Sequence, residues 1–192
     1  MKKSLKIIIL VVAIVVIIGV VALVININKN GENAKKENEN QIENSLNNDV
    51  NTYKIENAEE FISKVYENIE TDLPRLKTTK VDITNENVLK AYTGLSNTDN
   101  IEEVYASEPM MSSQAYSFVV IKTNGNDIEN LKQEIFSSVD TRKWICVSAD
   151  NLYVTNSDNY IIMFMAAEDW AEPVYEQISS VLGTNQGILL KR

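Results

Sequence analysis

Histidine is missing from all 192 residues, and cysteine occurs once, as Cys146. Without an imidazole there is no Ser-His-Asp or Cys-His nucleophile system, no histidine general base and no ordinary zinc site. A single thiol allows no internal disulfide, so packing must hold the fold. Cys146 lies between Ile145 and Val147 with no base to form its thiolate, and it reads as a small buried hydrophobe. Gly125 stands alone in its loop, which leaves no phosphate cradle and no dinucleotide fingerprint. Basic residues are also outnumbered. From Thr52 onward there are 22 acidic and 12 basic side chains. A surface of that sign repels nucleic acid and anionic lipid head groups.

What the chain has in plenty is one apolar run, Ile7 to Ile25, with sixteen Ile, Leu or Val among nineteen residues. As a helix it would extend about 28 Å, close to the ~30 Å hydrocarbon core of a bilayer. On the insertion scale those sixteen residues sum to roughly −5 to −10 kcal/mol with no charge to oppose them. The β-branched content favours strand in water, but a lone strand in lipid leaves its backbone groups unpaired, so helix is expected. Lys2, Lys3 and Lys6 resemble the start of a signal peptide. The apolar stretch exceeds the usual ~7–15 residues, however, and no A-x-A-like cleavage site follows. The sequence therefore predicts an uncleaved transmembrane helix over 7–27, with residues 1–6 cytoplasmic. Lys29, Lys35 and Lys36 balance the N-terminal lysines in number. The tight packing of the N-terminal three against the span, and the ease with which long C-terminal domains translocate, place the rest of the chain outside.

Residues 28–51 read as a polar linker. The stretch Asn26–Asn51 holds ten asparagines with mixed Glu and Lys, too little apolar surface to offset chain entropy. As a flexible coil this leash has an r.m.s. span of roughly 27 Å. The folded domain is expected over 52–192. Asn57 with Glu60 forms a capping-box pattern before the helical stripe Ala58, Phe61, Ile62, Val65, Tyr66 and Ile69. Thr84 is expected to cap a short helix that Gly94 ends. Ile101–Ser107 and Ala115–Thr123 read as strands, Ile128 to Val139 as a helix, and Leu152–Thr155 with Tyr160–Met165 as a hairpin around Asn156–Asn159. A last helix starts near Asp169 and stops at Gly183, before a tail, Ile188–Leu190, that either adds a strand or hangs free. The expectation is an α+β domain with an antiparallel sheet of about four strands and helices on one face.

Candidate chemistry is thin. Glu102 and Glu103 should point to opposite faces of their strand, so they cannot form a glycosidase pair; Glu108, Glu168 and Asp169 are further carboxylates without a visible partner. Asp99-Asn100 and Asn156–Asn159 fit turns better than calcium loops. Met110-Met111 and Met163 with Met165 read as core filler before groove lining, and Trp144 and Trp170 as half-buried at helix ends before partner anchors. No catalytic, cofactor-binding or metal-binding residue is assigned.

At Tyr92-Thr-Gly94-Leu95, Ile101-Glu-Glu-Val-Tyr105, Pro109-Met-Met111 and Val119-Val-Ile-Lys122 the chain resembles a family of uncharacterised proteins from clostridia and related Gram-positive bacteria. The Ile128–Arg142 helix and Tyr160-Ile-Ile162 strand fit the same layout, so the resemblance covers roughly Glu60 to Met165. It implies a membrane or lipid anchor before one small domain of unknown function. This chain departs from the pattern with Asp158-Asn159 where a glycine often precedes the tyrosine, and with a direct span instead of a lipid cysteine. The reading is a single-pass cell-membrane protein whose outside domain is a non-enzymatic module for an unknown protein or envelope partner, with no cofactor. The alternatives are an envelope hydrolase built on Glu103 and Glu108, or a structural subunit of a membrane complex.

Overall fold

The computed structural model describes residues 53–192, and the span over 7–27 and the linker over 28–51 lie outside them. Among the described residues no helix is long and apolar enough to cross a membrane. The elements run α1 (Ala58–Tyr66), β1 (Leu76–Lys80), α2 (Glu86–Thr93), β2 (Ile101–Pro109), β3 (Tyr116–Thr123), α3 (Ile128–Ser138), β4 (Asn151–Ser157), β5 (Tyr160–Ala166), α4 (Glu168–Leu182) and β6 (Leu190–Lys191), with a 3-10 turn at Gly183–Asn185. The class is α+β, as the sequence indicates. The sheet is larger than expected: six strands in the order β1-β2-β3-β5-β4-β6, every neighbouring pair antiparallel. The two strands beyond the expected four are its edges, β1 and β6. The tail closes one side by pairing Leu190 with Val154.

Helices cover both faces of the sheet, not one. The reason is in β3 and β5, YSFVVIKT and YIIMFMA, which are apolar at odd and even positions alike. Side chains alternate along a strand, so both faces must be shielded. On one face Tyr116, Phe118, Val120, Ile162 and Phe164 pack against α1 and α4. On the other, Val119, Ile121, Ile161, Met163 and Met165 pack against α2 and α3.

Local signals set where the helices begin and end. The Asn57 side chain accepts the Glu60 amide at 3.0 Å, and Ala58, Phe61, Ile62 and Val65 behind it are fully buried. The cap of α2 is Asn85, one residue beyond the expected Thr84; its side-chain oxygen accepts from the amides of Asn87 and Val88 at 3.1 and 3.3 Å. Thr84 instead turns back to Asp82. Gly94 ends α2 at φ +80, and a Cβ there would meet the backbone nitrogen of Val139 at 2.5 Å, so glycine serves both the turn and the close approach of α3.

Strand directions give the domain a base and a tip. β3 runs from Tyr116 at the tip to Thr123 at the base, about 25 Å at ~3.3 Å per residue. The Tyr160 hydroxyl donates to the carbonyl of Glu56 at 2.9 Å, so the chain joins the domain at the base. The β2–β3 connection and the α3–β4 connection meet at the tip.

Candidate functional site

The tip is where the described residues expose large apolar side chains together. Met110 and Met111, in the turn after β2, are 58% and 62% exposed, and Ile145, in the segment after α3, is 64% exposed. Backbone bonds hold these two segments: the Met110 amide donates to Arg75 at 2.9 Å, and the Ile145 amide to Ser112 at 2.8 Å. Val147 adds to the same rim. The methionines were expected in the core. Met163 and Met165 are there, fully buried, while Met110 and Met111 are not. Cys146 is likewise a correction, exposed instead of buried. Its φ of +62 swings the segment outward, and no strand resumes until Asn151.

Beneath this rim lies a polar knot. Lys143 donates to the Glu108 carboxylate and, at 3.2 Å, to the hydroxyl of Ser117, while that hydroxyl donates to Glu108 at 2.7 Å. The ammonium also sits 5.1 Å from the ring centre of Tyr92 and 5.4 Å from that of Trp144, within range of attraction to both rings. Burial, and secondarily the Glu108 charge, raise the Tyr92 hydroxyl above its ordinary pKa. Ala91, Tyr92, Glu108, Asp140 and Lys143 line a cleft of about 350 Å³. Ser117 beside Lys143 resembles a serine–lysine catalytic pair, yet the arrangement cannot work as one. Ser117 is fully buried, and its hydroxyl donates to the Glu108 carboxylate and not to Lys143. The knot braces the tip loops on the sheet.

The remaining carboxylates do not assemble into a catalytic group. A β-bulge between Ile101 and Glu103 breaks the alternation on β2. Glu102 and Glu103 therefore share a face, against the simple strand pattern: Glu103 sits opposite Lys122 in the register, and Glu102 reaches that same lysine. Each is tied to a lysine, Glu102 to Lys122 at 3.2 Å and Glu103 to Lys80 at 2.7 Å. Glu108 lies at the far end of the strand on the opposite face, with Lys143. The Glu168 amide donates to Asp150 at the start of α4. Asn100 and Asp158 take left-handed backbone angles that suit turns, but the hairpin turn is only Asp158-Asn159: Asn156 and Ser157, expected in it, belong to β4 and pair with Ile161 and Tyr160, and the Asn156 side chain accepts from the buried Lys132 at 2.8 Å. Among the described residues no three Cys, Asp or Glu side chains gather around a common metal position. Trp170 is half-buried at the start of α4, its indole donating to Asp72 at 3.0 Å, whereas Trp144 sits in the tip segment beyond α3.

Only the exposed methionine pair and the Ile145–Val147 segment could have flagged the tip in advance, and the same letters serve equally well in a core. No family model matches the chain, and neither a curated protein nor a solved structure is similar to it.

Proposed function

We propose that the chain is a membrane-tethered, outward-facing binding module without catalytic activity, anchored through residues 7–27 and contacting a protein partner with its tip. The observation that carries this reading is the exposure of Met110, Met111 and Ile145 on two adjacent, braced loops. Exposed large apolar groups gathered in one place mark interaction surfaces more often than chance exposure does, and methionine adapts its shape to a partner. The acidic balance of the domain argues against nucleic acid or anionic lipid as that partner.

Cys146 is the probe that tests both halves. A membrane-impermeant maleimide should label it in intact cells; labelling only after lysis would reverse the topology. A photo-crosslinker placed on the same thiol should give a discrete adduct that disappears when Met110, Met111 and Ile145 are changed to serine. An adduct that survives those changes would move the contact surface elsewhere. The same tip also suits a structural subunit of a membrane complex, which differs in one respect: the partner would then co-purify in fixed stoichiometry under all growth conditions. The hydrolase reading gains nothing from the geometry, since Glu103 and Glu108 occupy opposite faces and each is paired with a lysine.

A further inference from the structure

The tip differs from the rest of the domain in charge as well as in polarity. From Thr52 onward, 22 acidic against 12 basic residues leave an excess of ten acids. Met110, Met111, Ile145 and Val147 stand on residues 108–114 and 139–150, and Arg75 is bonded to the first of these segments. Together these parts of the chain hold Glu108, Asp140 and Asp150 against Arg75, Arg142 and Lys143, so they balance. The whole acidic excess lies elsewhere on the domain.

That distribution bears on the partner. A basic protein would be steered to the acidic remainder of the domain, and an acidic one turned away by it. A second copy of this chain brings to the tip the same balanced rim and the same apolar centre. In a two-fold contact each patch meets itself, so a rim of one sign would repel its copy, whereas the exposed Asp140 and Arg142 offer both signs. Copies meeting tip to tip also keep their like charges apart. The base lies about 25 Å away along β3, and exposed charges are largely screened beyond ~8 Å at physiological salt. The four exposed apolar side chains present on the order of 400 Å² per copy, about half of the ~800 Å² that each partner gives to a standard interface. Such a contact is weak between free molecules and is favoured where a shared membrane raises the effective concentration.

We propose that the tip pairs with the tip of a second copy of this chain, in a two-fold contact centred on Met110, Met111 and Ile145. This names the partner for the contact surface described under the proposed function and rests on that reading. Its test is a maleimide photo-crosslinker on Cys146 of the full chain in native membranes, with the captured partner identified by mass spectrometry. Cys146 is the sole thiol and lies beside Ile145. The adduct should have twice the mass of the chain and map to residues 108–114 or 139–150 of the second copy. Serine at Met110, Met111 and Ile145 should lower its yield about fivefold or more, at an unchanged unfolding midpoint because those side chains are exposed. A crosslinker moved to the base, with Asn126→Cys and Cys146→Ser, should give no homodimer. A yield undiminished by the serines, an equal yield from the base, or capture of a different protein in place of a copy would each overturn the pairing. The last of these would leave the binding-module reading standing. Capture of nothing at all would overturn both.

Discussion

The two faces of the sheet do the same job with different materials. Beneath α1 and α4 the interior is aromatic: Phe118 meets Phe61 and Tyr66 edge-on at 6.1 and 6.0 Å, Phe164 meets Tyr116 edge-on at 5.2 Å, and Tyr153 stacks on Phe164 and Tyr175. Under α2 and α3 it is aliphatic, with Val, Leu and Ile plus Met163 and Met165. Rings impose distances and angles, whereas aliphatic chains pack without ring geometry and the two methionines conform to the space left to them. The aromatic face also buries hydroxyls. Tyr116 donates to Tyr66 at 3.0 Å, and Tyr66 to Ser107 at 2.9 Å. Both faces bury hydrogen-bonded polar groups, Ser117 and Lys132 among those of the second, so the contrast lies between rings and aliphatic chains.

Substitutions at neighbouring positions of β5 test that contrast directly. Phe164→Ala should be the most damaging, lowering stability by about 3–5 kcal/mol in urea unfolding. The sharper comparison is Phe164→Leu against Met163→Leu, two adjacent residues on opposite faces. The first loses its ring contacts, each worth about 0.5–1.5 kcal/mol, while the second conserves volume and should cost less than ~1.5 kcal/mol. Equal losses would show that the two faces are governed alike.

Tyr66→Phe should cost about 1 kcal/mol at neutral pH by breaking the hydroxyl chain, and it carries a pH signature. Burial outweighs the hydrogen bonds from its neighbours and pushes the Tyr66 hydroxyl up to about 12. An unfolded tyrosine ionises near ~10, so above that pH the unfolded state holds fewer protons than the folded one. The contribution is full below about pH 10 and lost as pH rises toward about 12. The variant should therefore show a shallower alkaline decline in stability; an unchanged slope would remove Tyr66 from the cause. The smallest effect is a gain. The Ser157 hydroxyl is buried without a partner among the described residues, and Ser157→Ala should leave stability unchanged or raise it by up to about 1 kcal/mol. A loss would mean that the hydroxyl is satisfied.

Local features of this fold are legible in the sequence because local chemistry makes them. The Asn57 cap and the Gly94 stop each follow from side chains a few residues apart, and the hairpin turn falls at Asp158-Asn159, the second half of the expected Asn156–Asn159. The two-sided burial was also present in YIIMFMA, whose lack of alternation signals cover on both faces. The edge strands were legible only as open alternatives: Lys77–Ile83 reads as a possible short strand and the tail as a possible extra one, because β1 is short and lysine-bearing and β6 is two residues whose pairing with β4 is a long-range contact. The bulge at Glu102 and the outward turn at Cys146 depend on backbone angles that neither residue type demands. The exposure of the tip was hidden for the same reason, since Met110 and Ile145 are letters of a core placed where the chain turns back.

That the chain joins at the base while the apolar loops cap the far end has a mechanical consequence. Tension between Glu56 at the base and the tip would run lengthwise along the strands. In an antiparallel ladder the interstrand hydrogen bonds lie across the strands, so such a load would shear many of them at once instead of peeling them one by one. A pull applied between the two ends would meet the sheet in that orientation.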